Sequence, residues 1–97
     1  MPLGYVYILQ SDRSGRYYVG SCLDPSRRLV QHQANAVAAT RGKGPWRRVA
    51  CVAFEDAATA RHAEVYLKRL KRRDLLERVI RGEFEWPLDL APVASRW

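Results

Sequence analysis

Cysteine is scarce in this chain: Cys22 and Cys51 are the only two among 97 residues. Two thiols make no disulfide scaffold, and they are too few and too isolated to anchor a structural zinc. Both read as small core or near-core residues. Long apolar runs are missing as well. No stretch reaches the roughly 18 residues of a membrane-spanning helix. The opening MPLGYVYILQ has neither the basic segment nor the small-residue cleavage site of a secretory signal, so the expected location is the cytoplasm. Acidic side chains are in deficit, with 10 Asp and Glu against 17 Lys and Arg, a net charge of +7. Such a surplus points to a polyanionic partner, first of all nucleic acid. Solubility or a basic ribosome-facing surface is the plainer account of the same charge. No internal repeat or low-complexity segment is visible.

What is present suits one small globular domain. Hydrophobic residues make up 47% of the chain. The expected boundaries are a domain over residues 1–82 and an irregular tail over 83–97, packed on the domain or extending from it, with Trp86 and Trp97 open to either the core or a partner. Tyr5 to Gln10 reads as a central strand, with Tyr5, Tyr7 and Leu9 on one face and Val6 and Ile8 on the other. Ser11-Asp12-Arg13-Ser14-Gly15 is turn chemistry, and Arg16 to Ser21 returns as the second strand of a hairpin. Gly20 weakens that strand, so close approach of a backbone, side chain or ligand is expected there.

Asp24-Pro25 caps and opens a helix expected to reach about Ala36, with Leu29, Val30, Ala36 and Val37 facing the core. Arg28 and His32 are neighbours on one flank, four residues apart. Thr40 to Pro45 is a basic glycine-rich loop without the spacing of a phosphate-binding P-loop. Trp46 to Glu55 reads as a third strand. A second helix, Ala57 to about Leu70, buries Ala60, Ala63, Leu67 and Leu70, with Glu64 at the edge of that stripe. Arg61, Lys68, Arg69 and Arg72 are expected to point away from it, to solvent or a polyanion. A third helix, about Arg73 to Arg81, stops at Gly82.

Cleaving a phosphodiester requires a base for the nucleophile, a cation for the developing charge and help for the leaving oxygen. Tyr7 and Tyr18 can supply phenolic oxygens from neighbouring strands. Arg28 can supply a fixed bidentate charge, His32 a proton carrier, and Glu64 one ligand to a divalent cation. Each has an ordinary reading too. Strand tyrosines pack, a helical arginine is solvated, a histidine bonds a backbone carbonyl, and Glu64 pairs with Lys68 one turn on. Composition and periodicity alone support a basic α/β domain.

The order of the fragments carries more. Tyr5-Val6-Tyr7, then Tyr18-Val19-Gly20 after a short turn, then Asp24-x-x-x-Arg28-x-x-x-His32, Thr40-Arg41-Gly42 and Ala63-Glu64-x-x-Leu67-Lys68 follow in sequence. Over about residues 4–80 the chain resembles the GIY-YIG nuclease domain, in particular its small stand-alone members. The resemblance implies an α+β fold, a three-stranded antiparallel sheet flanked by about three helices. It also implies divalent-metal-dependent cleavage of DNA by a structure-selective or weakly specific endonuclease, with Mg²⁺ or Mn²⁺ as the ion and repair or recombination as the setting. Tyr7 and Tyr18 become the motif tyrosines, one of them the general base. Arg28 stabilises the pentacoordinate phosphate, His32 assists proton transfer or orients the phosphate, and Glu64 binds the metal. Gly20 leaves room beside Tyr18, and Arg41, Lys43, Arg47 and Lys68 are candidate substrate contacts.

Three positions depart from the family pattern. Tyr5 stands where the first motif has glycine, and valines replace both isoleucines. Asn35 is the sole asparagine, so the late asparagine of many family nucleases is missing. With no appended DNA-binding domain, targeting would fall to the basic surface or to a protein partner. Two rivals stay open: a nucleic-acid-binding module with little or no catalysis, and a structural basic protein whose tyrosines, Arg28 and Glu64 do not converge.

Overall fold

A computed structural model describes residues 2–95; Trp97 lies outside them. Strands β1 (Gly4–Ser11), β2 (Tyr17–Cys22) and β3 (Trp46–Phe54) form an antiparallel sheet with β1 in the middle. Helix α1 (Pro25–Gln33) follows β2, and α2 (Ala57–Leu70) and α3 (Arg73–Ile80) follow β3. This is the α+β architecture expected.

The alternation in β1 sorts the two faces. Val6 and Ile8 join Val19, Val52 and Phe54 in the main core, under Ala60, Ala63 and Leu67 of α2. Tyr7 and Leu9 form a second cluster on the opposite face with Trp46, against Tyr18 and Leu29. Both faces of the central strand are therefore covered, which is why it reads as nearly continuous apolar sequence.

Ser11 ties the hairpin turn together. Its hydroxyl accepts from the backbone N–H groups of Arg13 and Ser14 and donates to the Lys43 carbonyl at 2.7 Å. Gly15, at φ +74, supplies the left-handed residue that lets the chain turn back. The Asp12 N–H donates to the Pro45 carbonyl, and Arg13 Nη1 to that of Gly42. The hairpin turn and the glycine-rich loop are thus stitched side by side.

Helix α1 is shorter than its sequence suggests. Asp24 caps it by accepting from the Arg27 N–H, as expected, but the helix ends at Gln33. Asn35 takes φ +59, and its side-chain oxygen receives the Gly42 N–H. A helix of nine residues presents one inward stripe, and Leu29 and His32 fill it. Val30, expected in the core, is 67% exposed, and Ala36 is exposed beyond the helix end.

The tail is more ordered than expected. Phe84 and Trp86 pack on the main core, with the Trp86 ring 5.3 Å from that of Phe54. A 3₁₀ turn over Leu88–Leu90 buries Leu90. Two residues, Ala94–Ser95, then form β4 and pair with Val52 and Ala53, adding a short fourth strand beside β3. The physical reason is an unpaired strand edge whose N–H and C=O groups accept a partner backbone.

Candidate active site

On the α1 face, Tyr7, Arg28, His32 and Thr40 form one hydrogen-bonded chain. Tyr7 comes from the central strand, Arg28 and His32 from α1, and Thr40 from the 3₁₀ turn Ala38–Thr40. His32 and Thr40 are fully buried and Tyr7 is nearly so. Thr40 Oγ1 donates towards the Val37 carbonyl at 3.4 Å, which turns its lone pairs to His32 Nδ1 at 2.7 Å. Nδ1 therefore carries the imidazole proton, and Nε2 offers a lone pair to the Tyr7 hydroxyl, 2.9 Å away. Arg28 Nε donates to the same phenolic oxygen at 3.3 Å, while its Nη1 is held by Gln31 at 2.9 Å.

The electrostatics agree with this assignment. Burial, helped by the Arg28 charge, pulls the His32 imidazole down to about 4, so it is neutral at physiological pH. Burial pushes the Tyr7 phenol up to about 12, against the opposing hydrogen bond from Arg28. Tyr7 is thus a protonated phenol aimed at a base and steadied by a cation.

Gly20 makes this geometry possible. It faces Tyr7 across the β1–β2 ladder, and a β-carbon there would lie 2.3 Å from the Tyr7 hydroxyl oxygen. The expected space beside Tyr18 is instead the space filled by the tyrosine of the neighbouring strand. The cause is register, which sets Tyr7 rather than a residue of β2 over the missing side chain. Tyr18 contributes its ring, 5.1 Å from His32 and 6.4 Å from Trp46.

Glu64 approaches from the other side of β2. Its side chain is buried on α2, and its carboxylate accepts from Ser21 Oγ at 2.5 Å and Lys68 Nζ at 2.6 Å, with Arg61 at 3.5 Å. Burial alone would raise this carboxyl. The hydrogen bonds from Lys68 and Ser21 and the two cationic charges outweigh it and hold the group below the usual carboxylate range. Lys68 also lies over the Tyr18 ring, 5.5 Å from its centre, and so links Glu64 to the tyrosine side. Arg61 and Lys68, expected to point away from the α2 stripe to solvent or a polyanion, reach Glu64 at its edge, and the Glu64–Lys68 pair is the ordinary reading given above: a buried carboxylate draws the cations one turn along its own helix. Among the described residues no three His, Cys, Asp or Glu side chains gather into a metal cluster.

The other predicted contacts lie further out. Arg41 donates to the Asn35 carbonyl, Lys43 to that of Ala39, and Arg47 pairs with Asp12 at 3.2 Å. None of the three lines the cavity of about 270 Å³ formed in part by His32, Gln33, Asn35 and Trp46. Thr40, Ser21 and Gln31 are residues that sequence reasoning passed over as participants. Thr40 stood inside the quoted Thr40-Arg41-Gly42 fragment, whereas Ser21 has no signal beyond its place after Gly20.

Comparison with known proteins gives the family. The GIY-YIG catalytic domain matches residues 3–77. A UPF0213 protein of Halalkalibacterium halodurans, BH0048, is 41% identical over 70 residues, covering 71% of this chain and 73% of that protein. A UPF0213 protein of Yersinia pestis is 38% identical over 79 residues, 80% of this chain and 82% of the relative. The solution structure of the UPF0213 protein BH0048, there assigned to Bacillus halodurans, aligns with a TM-score of 0.49 at 37% identity, over 79% of this chain and 82% of that one. The described residues contain no helix long and apolar enough to cross a membrane. The chain belongs to the GIY-YIG catalytic domain family, with the nuclease-type fold and the nucleic-acid-binding character that this family carries.

Proposed function

We propose that this chain is a divalent-metal-dependent endonuclease that hydrolyses DNA phosphodiesters, and that Tyr7 is its general base. The observation that carries the reading is the Tyr7 hydroxyl held between Arg28 Nε and His32 Nε2. A phenol raised to about 12 is a poor base by itself. Being protonated at neutral pH, Tyr7 can act as a base only by giving its own proton to His32 Nε2 as it takes one from the nucleophile; with His32 held down at about 4, that transfer is driven by the charge developing at the phosphate. Arg28 steadies the oxygen through this exchange, and the rest of its guanidinium is the candidate cation for the phosphate.

Glu64 fits the metal role by its chemistry. Mg²⁺ and Mn²⁺ are commonly held by one or two carboxylates, with waters and substrate phosphate completing the shell. Glu64 is ionised and joined to Tyr18 through Lys68, and Lys68 and Arg61 are the charges a metal would have to replace. The bound ion would polarise the phosphate and screen its charge. A repair or recombination setting belongs to the same proposal.

A second reading is a nucleic-acid-binding module with little catalysis. It is favoured by the one feature that opposes metal binding, the Glu64 carboxylate already engaged by Ser21, Arg61 and Lys68. Supercoiled plasmid and branched DNA, with Mg²⁺ or Mn²⁺, separate the two. The nuclease reading expects nicking by the wild type and its loss in Arg28→Ala. Salt-sensitive binding without cleavage would leave the binding module.

A further inference from the structure

A hollow of about 400 Å³ lies along the outer side of β2, where α2 gives way to α3. Its rim is basic: Arg16, Lys68, Lys71, Arg72 and Arg73 surround it, and no acidic residue lines it. The helix junction brings them together. Lys71 takes the left-handed conformation, φ +51, at the end of α2, and α3 starts two residues later. The floor is apolar and aromatic, made by Tyr17, Leu67 and Leu76. The Tyr17 ring is braced from two sides, by the Arg73 guanidinium 4.2 Å from its centre and by Glu77, which accepts its hydroxyl at 3.4 Å. Tyr18 and Lys68 belong both to this hollow and to the candidate active site.

Cations around an aromatic floor match an unpaired nucleotide: phosphates take the rim, and the base has a flat surface to stack on. A paired duplex offers phosphates to the rim but leaves the floor empty. We propose that this hollow is a subsite for one unpaired nucleotide flanking the phosphate at the active site. The chain thereby selects DNA with a single-stranded segment next to the cleavage position. The inference rests on the nucleic-acid part of the reading above and needs no catalysis.

The test uses the full chain in chelator with oligonucleotides carrying 2-aminopurine. In one, the fluorescent base is unpaired at a junction between single and double strand; the control is fully paired. The expected result is quenching of the unpaired base on binding. Arg16→Ala combined with Lys71→Asn, which removes two exposed charges and keeps a residue tolerant of the left-handed conformation at 71, should weaken junction binding at least tenfold. Duplex binding should fall by a smaller factor. Tyr17→Leu should abolish the quenching and weaken junction binding about tenfold, with duplex binding within threefold. Binding without quenching, or equal weakening on junction and duplex, overturns the proposal. Displacement of the oligonucleotide by polyglutamate, with no quenching at any position, reassigns the hollow to an acidic protein partner. A chain that quenches but never cuts refutes the nuclease reading alone; one that cuts but never quenches refutes this subsite alone.

Discussion

Tyr7 and Gly20 stand opposite each other across the β1–β2 ladder, and the phenol of one occupies the volume a side chain on the other would need. Gly20→Ala must therefore push the Tyr7 ring off Arg28 and His32. The expected outcome is loss of cleavage together with about 1–3 kcal/mol of stability from overpacking. Chemical denaturation measures the second and plasmid nicking the first. Unchanged values for both would show that the ring has room to spare.

Thr40 positions His32 rather than touching substrate. Thr40→Val keeps the shape, removes the acceptor for Nδ1–H and leaves that buried group without a partner, at a cost of about 1–3 kcal/mol. The imidazole is then free to take the other tautomer, whose Nε2–H cannot receive the Tyr7 proton. Nitrogen chemical shifts of the His32 ring should report the change, and cleavage should fall about 10²-fold or more. Thr40→Ser should restore both. A valine variant with unaltered ring shifts and full activity would remove Thr40 from the chain.

His32 makes stability depend on acid. Its folded value, about 4, lies below the ordinary 6.5. The unfolded chain therefore binds the proton first. The contribution of neutral His32 is complete above pH 6.5 and is lost as pH falls towards 4, amounting to about 3 kcal/mol across that window. Denaturation curves between pH 7 and 4 should show this slope, and His32→Gln should flatten it. An equal slope in the variant would place the acid sensitivity elsewhere.

Lys68 competes for the Glu64 carboxylate. Lys68→Met removes the closest cation, so Mn²⁺ should bind the free protein more tightly, by about tenfold if one charge-assisted hydrogen bond of 1.5 kcal/mol is released. Calorimetric titration in the absence of DNA gives the number. Equal affinity in the variant would mean that the metal does not displace Lys68, and no binding after Glu64→Gln alone would confirm the ligand.

The elements were legible because local rules and tertiary demands agree. The face assignment of Tyr7 and Val6 follows from strand alternation, Asp24 caps because its side chain reaches Arg27, and α2 buries the stripe its period announces. The candidate-site residues could be picked out by motif order. Their relations could not, because each depends on register or on a turn. Which tyrosine fills the notch at Gly20 depends on strand pairing. The tautomer of His32 is set by a threonine eight residues on, in a turn with no periodic signal. Val30 misled because heptad spacing assumes a longer helix, and Asn35 ends this one first.

Ser11 has a mechanical consequence. Its hydroxyl, the Asp12 N–H and the Arg13 guanidinium bind the hairpin turn to the carbonyls of Lys43, Pro45 and Gly42. Two loops that the sequence separates by some thirty positions are joined by one hydrogen-bonded seam where β1 ends and β3 begins. The basic segment around Lys43 therefore does not swing as an independent flap. Any rearrangement that admits a DNA strand beside His32 must carry the Ser11 turn with it, or break this seam first.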